Sequence, residues 1–325
     1  PISGYKNVES AIAEIVDNSL EADAKDVLII CSLDFSTGRK VVNEIAILDN
    51  GIGMNKDTLE KCLVIGESTR RKRKGMGRFG VGLPQASLHV CPNVEVFSWQ
   101  SKDQIRKVYL DVDEIKSGVQ KEIEGSREEQ IPDSYLKYFS DYEHLGKKID
   151  FNKSGTLVVW NNCDRLKPKT VVSLFERFKF LLGRKFRYFI HQGTHYVGLT
   201  VTGTTLQDES LRPNDPLCLM DDNMIMGDTN DPKHIKKTGE SIFEYWENGD
   251  VCGTVNLPVK YSDISSDTIR ESNVEIKFSW AKPAFHFAGG ECEIGKFLRK
   301  NVGISIIRAK REIDFGKFDF FSEVN

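Results

Sequence analysis

Two hydrophobic rhythms run along the chain. Over residues 8–24, Val8, Ile12, Ile15, Val16 and Leu20 recur at helical spacing and predict an amphipathic helix. Two β-rich runs follow, at 26–33 (DVLIICSL) and 44–48 (EIAIL), and the turn residues Asp49, Asn50 and Gly51 close the second. Asn55 is placed to cap a helix running to about Ile65, with Gly66 as its stop. Residues 66–83 lose periodicity, are rich in Gly and Arg/Lys, and read as a loop. Pro84 suits the first turn of a short helix over 84–90. Strands are predicted at 94–99, 106–112 and 156–161. Between them, 113–150 is polar and charged and reads as a solvated insertion with some helix. Helix returns at 170–182, followed by strands near 196–202, 251–259, 273–279 and 303–308. A composition shift places a domain boundary near 165–185. The first domain then covers 1–170, with the insertion at about 113–150, and the second covers 171–325.

With 325 residues the chain is long for one domain and comfortable for two, each able to bury a core. The 45 basic and 48 acidic side chains leave a net charge of −3, so no general attraction to nucleic acid or an anionic membrane is expected. No apolar run reaches the ~18 residues of a membrane span, and no signal peptide opens the chain. Residue 1 is Pro rather than Met, so the natural N-terminus is expected upstream. The seven cysteines are odd in number and never form C-x-x-C, which argues against a disulfide framework or thiolate zinc site. A reducing compartment, the cytoplasm or a nucleus, is expected.

Three motif matches lack the context their chemistry needs. GMGRFG at 75–80 fits G-x-G-x-x-G, but RRKRK precedes it where a dinucleotide fingerprint needs a strand. DFG at 314–316 has no accompanying kinase motifs. GECEIGKF at 290–297 puts Phe297 where a phosphate loop needs Ser or Thr.

Four other elements gain weight from their order. In AEIVDNSLEADA at 13–24, Glu14 and Asn18 lie four apart on one helix face. A carboxylate there can take a proton from water, and an amide oxygen can ligate a hard cation such as Mg²⁺. In LDNGIGM at 48–54, an Asp at a strand end can accept from an exocyclic amine while glycine backbone approaches a flat ring. In GESTRRKRKGMGRFGVGLPQAS at 66–87, glycines free backbone N–H groups to wrap phosphates, and a helix start follows. In SGTLVVWNN at 154–162, Thr156 opens a strand and can bond the base or the Asp that reads it. Taken singly, each is an ordinary polar pair, turn, basic loop or strand.

In this order and spacing the four elements resemble the GHKL ATPases: gyrase-type topoisomerases, MutL, MORC proteins, heat-shock ATPase chaperones and histidine kinases. The resemblance covers about residues 8–162. The first box is MutL- or MORC-like, whereas GRFGVGL looks most like the chaperone and MORC lid. The resemblance implies an α+β Bergerat fold, a mixed sheet with helices on one face and ATP beneath a lid, followed by a transducer-like α/β domain. It makes Glu14 the general base and gives Asn18 to Mg²⁺. It gives Asp49 to the adenine amino group through the Thr156 network, and Gly53 and Met54 to the base pocket. Gly75, Gly77, Arg78, Phe79, Gly80, Val81 and Gly82 become the lid over the phosphates. A basic residue from the second domain would reach the γ-phosphate. In GISIIRAKREI at 303–313 Lys310 is the choice, with Arg308, Arg311, Lys185 and Arg187 competing.

The implied activity is Mg²⁺-dependent ATP hydrolysis driving lid closure and ATP-gated homodimerisation. A DNA-associated clamp ranks first, or a defence or repair ATPase whose effector domain lies beyond Asn325. Chaperone-like remodelling of a protein client is the alternative. A histidine kinase fits poorly, because no helical His-containing hairpin precedes the motifs. A module that binds ATP without cleaving it is disfavoured by the intact Glu14.

Overall fold

The computed structural model describes residues 5–35, 40–64, 82–225, 243–244, 254–263, 268–281 and 293–317. Contacts divide the chain into two compact units: 1–211 with 309–311, and 212–308 with 312–325.

In the first unit Asn7 caps α1 (Val8–Glu21) by accepting from the Ser10 amide. Strands β1 (Asp26–Asp34) and β2 (Val41–Asp49) follow. Asn55 does cap a helix, but α2 (Lys56–Lys61) is shorter than expected. Then come α3 (Gly82–Val90), β3 (Asn93–Trp99), β4 (Arg106–Asp111), α4 (Val112–Ser117), β5 (Arg127–Glu128) and α5 (Asp133–Leu136). The series ends with β6 (Glu143–His144), β7 (Lys147–Lys148), β8 (Gly155–Asn161), α6 (Val171–Lys185), α7 (Arg187–Ile190), β9 (Tyr196–Val201) and β10 (Thr204–Ser210). Helix α6 and strands β9 and β10, which the sequence reading assigns to the second domain, pack within this unit.

Eight strands form one sheet in the order β10-β9-β1-β2-β8-β3-β4-β5. Only β1 and β9 are parallel, with Asp26 opposite Tyr196 and Cys31 opposite Val201. The class is α+β with a large mixed sheet, as expected. In β1 the apolar run divides by parity. Val27, Ile29 and Cys31 join a core with α1, α3 and α6, while Leu28 and Ile30 join a second core on the opposite face. In β8, Val158 and Trp160 face the helices, and Leu157 and Val159 face away from them.

That second face corrects the reading of 113–150 as a solvated excursion. Ile131, Tyr135, Tyr138 and Ile149, with Phe151 just beyond, are buried against Leu28, Leu48, Phe97 and Trp99. The insertion is a lid on the sheet, which explains why the central strands read as unbroken apolar runs.

In the second unit β11 (Phe243–Glu244) pairs with β14 (Trp280–Ala281), and β12 (Thr254–Asp263) forms a long hairpin with β13 (Thr268–Lys277). Helix α8 (Glu293–Lys300) precedes the paired strands β15 (Ile304–Arg308) and β16 (Arg311–Gly316). Asp215 caps a turn by accepting from the Leu217, Leu219 and Met220 amides. Asn301 donates to Asn214 at 2.9 Å. No helix among the described residues is long and apolar enough to cross a membrane.

Candidate nucleotide site

The site is built where α1 passes the end of β2. Asp49, the last residue of β2, is only 5% exposed. Its carboxylate accepts from the Ser19 hydroxyl at 2.8 Å, from the Gly51 amide at 2.9 Å and from the Thr156 amide. Burial nevertheless raises its pKa to about 6, with the three donors pulling the other way. Thr156 stands directly opposite Asp49 in the β2–β8 register. Thr156 thus reaches Asp49 through its backbone amide. Ser19 reaches Asp49 too, although no motif element singles that residue out.

The loop after Asp49 is fixed on both sides. The Asn50 side chain accepts from the Lys25 and Asp26 amides, and the Ile52 amide bonds to the Ala22 carbonyl. The Met54 amide donates to the Ser98 hydroxyl at 2.8 Å. That hydroxyl donates in turn to the Gly155 carbonyl at 3.0 Å, so the Thr156 hydroxyl, 3.1 Å away, is the donor to Ser98. Gly53 has φ +68°, and a Cβ there would overlap the Trp99 carbonyl. The close approach visible at Gly53 is thus to protein backbone. Ser98 also escapes the motifs. Its role depends on β3 lying beside β8, a pairing that no local pattern carries.

Glu14 and Asn18 are half-buried on α1, on the helix whose Ser19 grips Asp49. Gly82 opens α3 against Glu14: a Cβ there would overlap Oε1 and lie 2.8 Å from Cδ. Of the expected lid, only Gly82 is among the described residues. Gly75, Gly77, Arg78, Phe79, Gly80 and Val81 lie outside them.

Asp17, one residue before Asn18, is buried and ion-paired to Arg311, their side chains 4% and 14% exposed. Burial pushes Asp17 above the usual carboxylate range; Arg311 and Lys185 oppose the shift and Glu14 adds to it. Of the basic residues weighed for the phosphates, Arg311 thus contacts the first box. Lys310 has φ +65° in the neighbouring turn and acts electrostatically on His195. Arg187 is buried and donates to the Arg184 carbonyl.

The arrangement suits an adenine nucleotide with its metal. A buried carboxylate with fixed donors leaves acceptor capacity for one exocyclic amine. Glu14 and Asn18 stand one helical turn apart on α1. Ser19, Asp49 and Thr156 are buried, and Glu14 and Asn18 on the same helix as Ser19 are half-buried. Residues 5–155 match the family of histidine kinase-, DNA gyrase B- and HSP90-like ATPases. Among curated proteins it is similar to Protein MICRORCHIDIA 6 of Arabidopsis thaliana, 26% identical over 102 residues, 31% of this chain and 15% of that protein. It is also similar to ATPase morc-1 of Caenorhabditis elegans, 36% identical over 81 residues, 25% of this chain and 9% of that protein. A solved structure, the Aquifex aeolicus MutL ATPase domain complexed with ADP, aligns with TM-score 0.36 and 16% identity over 62% of each chain. The matches thus cover a small part of the curated relatives' length.

Proposed function

We propose that this chain hydrolyses ATP with Mg²⁺ and works as an ATP-gated dimeric clamp associated with DNA. The observation that carries the ATPase reading is the single helix α1, which holds Asp49 through Ser19 and presents Asn18 next to it and Glu14 one turn before Asn18. Asp49 accepts from the adenine amino group. Glu14 takes a proton from water as its oxygen attacks the γ-phosphorus, and the bond to the bridging oxygen breaks to leave ADP and phosphate. The Asn18 amide oxygen would hold Mg²⁺, which when bound neutralises phosphate charge. A basic side chain at Lys310 or Arg311, which belong to the first unit, would add positive charge at the transferring phosphoryl group. The N-box AEIVDNSLEADA, MutL- and MORC-like in style, supports the DNA-associated clamp over a chaperone.

Mg²⁺-dependent phosphate release tests the reading, comparing wild type with Glu14→Gln, with and without duplex DNA. Release that Glu14→Gln abolishes and DNA raises is expected. Release indifferent to DNA would move the client to a protein, and Glu14→Gln with wild-type turnover would remove Glu14 as base. Light scattering should show the mass double with a non-hydrolysable ATP analogue. An unchanged mass would end the clamp.

A further inference from the structure

Tyr5 belongs to none of the four sequence elements, yet it stands beside the proposed base. Its hydroxyl donates to the Gly82 carbonyl at 3.3 Å. Gly82 is also the residue against which Glu14 rests, since a Cβ there would overlap the carboxylate and lie 3.0 Å from Cγ. One backbone unit, the first of α3, therefore touches both the phenol and the carboxylate. Gly82 is the first described residue of α3, so these two contacts meet at the start of the helix.

The ring of Tyr5 is itself anchored. It packs on the helix-side core, with its centroid 6.1 Å from that of His89 on the same α3. The charged groups around the phenol are Glu14, Arg311 and Asp17. Burial first, and Glu14 next, push its pKa well above the ordinary value, with Arg311 opposing and Asp17 adding. At neutral pH it is a hydroxyl, able to donate.

We propose that Tyr5 is a positioning residue for hydrolysis: by holding the Gly82 carbonyl it sets the start of α3, and with it the place of the Glu14 carboxylate. This rests on Glu14 being the base. Tyr5→Phe keeps the ring and removes only the donor. It is expected to lower kcat about three- to tenfold, as losing one hydrogen bond would. The dissociation constant for ADP should stay within about twofold, because Asp49 and its partners are untouched. Unchanged kcat, or turnover and ADP affinity falling together, would overturn the proposal.

Backbone hydrogen exchange of nucleotide-free protein gives a readout independent of turnover. Tyr5→Phe should speed exchange in the first turn of α3 and leave α6 as in wild type. Equal exchange in α3 would sink the idea even if the preparation hydrolysed no ATP. Glu14→Gln, assayed alongside, separates the two readings. Wild-type turnover in that variant would refute the base, while the exchange result still decides whether Tyr5 holds Gly82.

Discussion

Asp49 shows how one side chain ties stability to ligand binding. Folding raises its pKa from an ordinary carboxylate value to about 6, so the folded chain holds its proton more tightly than the unfolded chain does. A raised pKa of this kind stabilises fully below the unfolded value, and the stabilisation is lost as pH climbs through about 6. Asp49→Asn is therefore expected to melt a few degrees above wild type at pH 8, an advantage that vanishes near pH 4. Thermal melts across that range check it. Binding runs the other way. The ionised carboxylate is the better acceptor for an adenine amino group, so ADP affinity of the wild type should weaken as pH falls through about 6. Asp49→Asn should bind ADP weakly at every pH, as titration calorimetry would show. Asp49 itself was legible as an acidic strand end before two glycines. Ser19, Ser98 and Tyr5 were not, because each acts on a partner distant in the chain: Asp49, Gly155 and Gly82.

Among the elements, α1, β1, β2, β3, β8 and α6 could be read from periodicity, because their apolar residues face a continuous core. The insertion could not. Its buried members, Ile131, Tyr135, Tyr138 and Ile149, are sparse among charges and follow neither helical nor strand spacing, so composition describes their exposed neighbours. Helix α3 makes a sharper test. The buried Ser87 hydroxyl donates to the Leu83 carbonyl and accepts from the Trp160 indole, both at 2.8 Å. Ser87→Ala leaves that indole N–H buried and unpaired, at a cost of about 1–3 kcal/mol. Urea unfolding should show a lower midpoint with an unchanged slope. At the other end of α3, Gly82→Ala would drive a methyl group into Glu14. Phosphate release is expected to fall at least about tenfold while ADP still binds, since the cost falls on placement of the base.

For the whole first unit, acid sensitivity comes from the face opposite the helices. His144 is fully buried, its Nε2 donating to the Leu199 carbonyl at 3.1 Å and its Nδ1 accepting from the Tyr196 hydroxyl at 2.5 Å. Burial lowers its pKa, with Asp208 and the Leu199 bond resisting. A base held neutral in this way stabilises above its unfolded pKa of roughly 6.5, and the contribution is lost as pH falls. Relative to wild type, the urea midpoint of His144→Gln should therefore improve as pH falls from 7.5 to 5.5. Asp49 acts with the opposite sign, so comparing each variant with wild type separates the two. The parallel pairing of β1 with β9 also governs how the chain leaves the ribosome. Until Tyr196–Val201 has been made, β1 has only one neighbour, and its apolar run from Val27 to Cys31 presents an open edge. Such an edge is a template for pairing with other nascent chains. Synthesis stalled near residue 170, or a fragment cut there, would leave that edge bare and remove the aromatic residues of α6 from the core. Aggregation during expression is the expected outcome for 1–170.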